Sequence, residues 1–109
     1  MTRLEVHEYL VNLLGSRNVY FQPPANKKIE YPGIIYALSR VDSRYANNSR
    51  YVTNTAYTVT LVDKDPESVI FDRILKEPLM RFDRSYTADN LHHWVFTLYT
   101  NYKEELNHG

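Results

Sequence analysis

Cysteine is missing from this chain. That excludes a disulfide framework and any thiolate chemistry, and it fits a reducing compartment. Glycine is scarce, with 3 in 109 residues, so a glycine-rich phosphate loop is not expected. Net charge is lacking too, because 13 basic side chains balance 13 acidic ones. Nothing in that balance argues for nucleic acid or a membrane surface. Nor does strong self-repulsion oppose association. No apolar run approaches the roughly 18 residues of a spanning helix, so no membrane partner is expected. The N-terminus lacks a basic-then-apolar pattern, so no secretion signal is expected. Repeats, linkers and low-complexity stretches are absent, and residues 1–109 read as a single domain. Tyrosine is the abundant exception, with 10 copies. Tyr suits both strands and interfaces.

The clearest strand is Thr53 to Val62. Tyr57, Val59 and Leu61 share one face, and Ala56, Thr58 and Thr60 the other, which is period-two alternation. It runs into Asp63-Lys64-Asp65-Pro66-Glu67, a helix-start signal with Asp65 as the expected cap and Pro66 first in the helix. A second helix is expected from Pro66 to Lys76, with Val69, Ile70, Ile74 and Leu75 as its apolar stripe and Phe71 near the edge. Thr2-Arg3-Leu4-Glu5 is a capping box for a first helix from Arg3 to Leu14, which Gly15 closes.

Gly33 to Asp42 is the other strong strand. Asn47-Asn48-Ser49 is a turn signal that joins it to the Thr53 strand as a long hairpin. Val19-Tyr20-Phe21 is compatible with a short strand, interrupted by Pro23-Pro24. Met80 to Tyr86 reads as a core strand, Thr87 to Asn90 as a turn and Leu91 to Tyr102 as the last strand. Lys103 to Gly109 is expected to fray. The sum is an α+β fold in the order α-β-β-α-β-β. It predicts a four-stranded, mainly antiparallel sheet with two helices packed on one face and a long projecting hairpin.

No catalytic motif is present, and no enzyme, cofactor or metal is expected. His92 and His93 are adjacent, so on a strand they face opposite sides and cannot share a metal without a bulge. A hydrolase would have to use one of them with Asp83 or Asp89. Asp63 and Asp65 fit loop solvation better than acid–base work. The local concentration of charge lies on the hairpin, where Arg40, Arg44 and Arg50 accompany Tyr45 and Tyr51 against one acid, Asp42. These residues suit a subunit or partner interface, where Arg and Tyr are enriched. They also suit a nucleic-acid contact, or a solvated hairpin tip.

Four stretches taken in order carry a family resemblance. They are Val19-Tyr20-Phe21-Gln22-Pro23-Pro24, Tyr31-Pro32-Gly33-Ile34-Ile35-Tyr36, Tyr57 to Ser68, and Phe82 to His93. Together they resemble small proteins from the head–tail joining region of long-tailed bacteriophages, most closely the tail terminator (tail completion) group. Stopper and minor capsid proteins of the same region are the neighbouring alternative. The resemblance implies a structural virion protein that forms a ring, typically hexameric. That ring would cap the tail tube, dock on the head connector or stopper, and let DNA pass without specific binding. It implies a place at the head–tail interface of the virion, and in the host cytoplasm during assembly. It carries over no catalytic residues.

Overall fold

The computed structural model describes residues 1–46 and 50–100, with the side chains of residues 42–54 outside the description. Helix α1 spans Arg3–Leu14. Its capping box is formed on both sides: the Glu5 amide donates to Thr2 Oγ1 at 3.2 Å, and the Thr2 amide donates to the Glu5 carboxylate at 2.7 Å. Each bond satisfies an amide that a helix start leaves without a partner. Gly15 ends the helix with φ 86°, and its N–H donates to the Val11 carbonyl. Val6, Leu10, Val11, Leu13 and Leu14 form the buried stripe.

The five strands are β1 (Val19–Phe21), β2 (Gly33–Ala46), β3 (Arg50–Asp63), β4 (Met80–Ala88) and β5 (Leu91–Tyr99). They form one mixed sheet in the order β1-β2-β3-β5-β4. The α+β class and the central place of the Thr53 strand hold. The sheet has five strands, not four, because Val19–Phe21 pairs with β2. That pair is parallel, with Tyr20 beside Ile35, while the other three pairs are antiparallel. The expected order therefore becomes α-β-β-β-α-β-β.

Helix α2 starts later than expected, at Val69–Leu75. Asp63 and Asp65 are taken up in the loop, where Asp63 Oδ1 accepts from the Asp65 amide and Asp65 Oδ1 from the Glu67 amide. Such local bonds compete with capping. The cap passes to buried Ser68, whose hydroxyl accepts from the Ile70 amide at 3.2 Å. The shift also changes the buried stripe. Ile70 and Ile74 are buried and Phe71 packs on the core, whereas Val69 and Leu75 are exposed.

Both helices lie on one face of the sheet. There Ile34 and Tyr36, Tyr57, Val59 and Leu61, and Trp94, Phe96 and Leu98 join the helix residues in a single core. Phe71 stacks on Trp94 at 5.6 Å and meets Phe82 and Phe96 at 5.4 and 5.9 Å. Fully burying side chains of this size is worth about 1.5–3 kcal/mol each, so this face holds most of the stabilisation. β4 is not the core strand that its sequence suggests. It is an exposed edge, with a bulge between Phe82 and Arg84. Period-two alternation reports which face a residue takes, not how many neighbours its strand has.

Candidate functional site

The hairpin of β2 and β3 outruns the sheet. β5 pairs with β3 only from Asp63 back to Ala56. Beyond that, six register pairs from Val41–Thr55 to Ala46–Arg50 join β2 to β3 with no third described strand alongside. This two-stranded ribbon is roughly 17–20 Å long, in a molecule whose extents are 53 × 30 × 23 Å. Two-stranded ribbons are marginal in water alone.

Its base is tied down. The chain shifts register between Leu38 and Arg40, and the Ser39 hydroxyl donates to the Ala56 carbonyl at 3.1 Å. Bulges of this kind bend a strand and re-aim the side chains beyond them. Across the base, buried Thr100 donates to the Thr55 carbonyl from its amide and its hydroxyl, both at 3.2 Å. The amino group of Met1 donates to the Thr100 carbonyl at 3.4 Å. Leu38 and Val41, exposed by 45% and 55%, stand beside this base on the helix-bearing face.

Of the candidate contact residues, Arg40 is exposed on β2 opposite Ala56. Arg44, Tyr45, Arg50 and Tyr51 lie on the ribbon backbone, where Tyr45 pairs with Tyr51 and Arg44 with Val52. Their side chains lie outside the described residues. The Asn47-Asn48-Ser49 turn and the tail from Lys103 to Gly109 also lie outside them.

The histidines separate as their adjacency requires. His92 stacks on Trp94 at 6.0 Å on the helix-bearing face, and its Nδ1 is 3.5 Å from the Thr87 hydroxyl. His93 stacks on Tyr86 at 4.5 Å on the other face. Both border a hollow of about 230 Å³ with Pro66, Ser85, Thr87 and Trp94. Asp83 is engaged elsewhere: its carboxylate accepts from Thr97 Oγ1 at 2.6 Å and from Arg81 Nε at 3.2 Å. Asp89 and Asn90 form the two-residue β4–β5 turn, both with positive φ. No group of three His, Cys, Asp or Glu side chains among the described residues has the geometry to hold a metal. No described helix is long and apolar enough to cross a membrane.

Reasoning from the sequence missed a second surface. The face of the sheet opposite the helices carries Ala56, Val62 and Val95, which are buried. Ile35, Ala37, Thr58, Thr60 and Thr97 lie half-buried at its centre. Arg81 lies over the ring of Tyr99 at 5.6 Å and Arg84 over Tyr86 at 5.9 Å, along the β4 side. Lys27 lies over Tyr20 at 5.7 Å on the β1 side. No single stretch of sequence announces this grouping, because its members come from several strands and a loop.

Tyr36 holds the helix to the sheet at the other end of the core. It is fully buried, its hydroxyl lies 2.8 Å from His7 Nδ1, and Arg3 donates to the same oxygen at 3.5 Å. Burial, and then the nearby Arg3 charge, push the pKa of His7 below 6.5. Tyr9 donates to Glu77 at 2.7 Å, and burial followed by that bond push its phenol well above the ordinary value.

No protein-family model matches the sequence, and no curated protein matches it.

Proposed function

We propose that this chain is a structural subunit of the head–tail interface of a long-tailed phage, a tail terminator. In this reading it forms a ring, hexameric by resemblance, that closes the tail tube and docks on the head connector. The observation that carries the proposal is the projecting ribbon. A closed ring of identical subunits needs a heterologous contact, in which one surface meets a different surface of the neighbour. A ribbon that leaves its own sheet for six register pairs is suited to reach such a neighbour. Its sequence bears Arg40, Arg44, Tyr45, Arg50 and Tyr51, residue types favoured as interface anchors. The exposed Leu38 and Val41 at its base add apolar contact area.

The test is absolute mass by light scattering on a sizing column, with and without tail-tube protein. A mass near six subunits, or a ring that forms only with the tube, supports the terminator. A chain that stays monomeric and ignores the tube overturns it. The variant Arg40→Glu/Arg44→Glu/Arg50→Glu should keep the fold and lose assembly. Heads and tails that still join normally with that variant remove the arm from the mechanism.

A further inference from the structure

We propose that residues 101–105 continue β5 along the open edge of β3, so that the chain supplies its own third strand to the ribbon. The proposal starts from where the described chain ends. Tyr99 pairs with Ala56, and the next residue keeps that register, because the Thr100 amide donates to the Thr55 carbonyl at 3.2 Å. The Thr100 hydroxyl donates to the same oxygen at 3.2 Å, and Thr100 is buried. At Thr100 the chain is therefore still antiparallel to β3 and runs toward Arg50. From Asn54 to Arg50 that edge of β3 has no described strand beside it. A two-stranded ribbon is marginal in water, and an open edge is a template for any strand that reaches it. The segment after Thr100 reaches it without a turn, already in register.

Length, alternation and charge agree with this occupant. Five extended residues span about 17 Å, which carries residues 101–105 as far as Arg50. The amides alternate between the two neighbours of β5. That of Tyr99 faces the β4 side, where it donates to the Leu79 carbonyl at 3.0 Å, and that of Thr100 faces β3. Continued, the alternation turns the amides of Tyr102 and Glu104 toward β3, opposite Thr53 and Tyr51. Lys103 then falls opposite Val52, and Glu105 opposite Arg50, as pairs without mutual hydrogen bonds. The hairpin sequence bears Arg40, Arg44 and Arg50 against one acid, Asp42, whereas Glu104 and Glu105 accompany one base, Lys103. Opposite charges on adjacent strands favour their pairing. The contact lies within one chain, so it does not rest on the ring. It occupies the β3 side of the ribbon and leaves the β2 side to a neighbour.

Hydrogen exchange read residue by residue by NMR in the full chain tests the proposal. Tyr102→Pro deletes an amide that faces β3 and so breaks the added strand, while leaving every residue of the core in place. The amides of Tyr51 and Thr53 should exchange at least about tenfold faster in that variant than in the wild type, because each loses its hydrogen-bond acceptor. Cysteine trapping checks the register, and the chain has no cysteine of its own to compete. Val52→Cys/Lys103→Cys sets two thiols at facing positions with Cα atoms about 4.5 Å apart, within disulfide reach. Oxidised glutathione should close that bond within single chains. Val52→Cys/Glu104→Cys turns the second thiol to the other face of the sheet and should stay reduced. Three outcomes overturn the proposal. Tyr51 and Thr53 exchange as fast in the wild type as in Tyr102→Pro. The two cysteine pairs close to the same extent, or neither closes, so that no register is held. The disulfide joins two chains in preference to one, which makes the added strand a second copy's.

Discussion

Removing one oxygen from Tyr36 tests how the first helix is held to the sheet. The ring is fully buried and packs on Phe21 at 5.0 Å, Tyr57 at 5.8 Å and His7 at 5.7 Å. Tyr36→Phe leaves all of that packing in place and deletes only the hydroxyl. Two bonds are lost. The one to His7, at 2.8 Å, is of full strength, and the one from Arg3, at 3.5 Å, is at the limit of a hydrogen bond. A net intramolecular hydrogen bond contributes about 0.5–1.5 kcal/mol, and an orphaned buried partner costs about 1–3 kcal/mol. His7 is only half-buried and Arg3 is exposed, so water partly replaces the lost oxygen. The expected cost is therefore about 1 kcal/mol, which lowers the melting temperature by about 4–8 °C in a domain near this size. Urea unfolding of both proteins at pH 8 measures it, with an unchanged m-value as the sign of an unaltered fold. A loss below about 0.3 kcal/mol would falsify the bond as a stabilising contact in solution. A loss above about 3 kcal/mol would mean that the substitution has disturbed the core, because one hydroxyl does not supply that much.

Three further outcomes are expected. The folded pKa of His7 is lowered, so below pH 6.5 the unfolded chain binds a proton that the folded chain resists, and stability falls as acid is added through that range. His7→Gln should flatten that part of the pH profile relative to wild type in parallel urea titrations, and a profile with the same slope refutes the assignment. Gly33→Ala should destabilise by about 1–3 kcal/mol, because a Cβ there would stand 2.5 Å from the Glu30 carbonyl oxygen and 3.3 Å from that of Asn18; a neutral result in thermal melts refutes the clash. Thr2→Ala should cost about 0.5–2 kcal/mol through loss of the capping box, and hydrogen exchange should rise first in the opening turn of α1.

How far the fold is legible in the sequence depends on the range of each signal. The first helix is legible from end to end, because Thr2, Glu5 and Gly15 act within a few residues of one another. The face assignments of β3 and β5 are legible for the same reason. The start of α2 is not. Asp65 and Ser68 can both cap a helix, and the choice depends on Asp63 and Asp65 spending their carboxylates on the loop amides. β1 is a three-residue apolar stretch whose meaning lies in a parallel partner beginning 12 residues after it, at Gly33. β4 alternates like a core strand, and only the strand order exposes it as an edge. The candidate arm is visible as a run of Arg and Tyr. The opposite surface is not, because Arg40, Arg81, Arg84 and Tyr99 come to share a face only when three antiparallel registers are fixed.

The ribbon is not an appendage hung on a loop. Its two strands are the outer halves of β2 and β3, whose inner halves carry Tyr36 and Val59 through the middle of the core. The arm and the core thus share two continuous strands, bent at the bulge between Leu38 and Arg40 and pinned there by Ser39 and Thr100. Mechanically this is a lever clamped at its fulcrum. A push on the arm crosses the pinned bulge and arrives as torque on the most tightly packed strands. Gripping the arm would therefore stiffen or strain the whole subunit, and a neighbour holding it would register how well that subunit is folded.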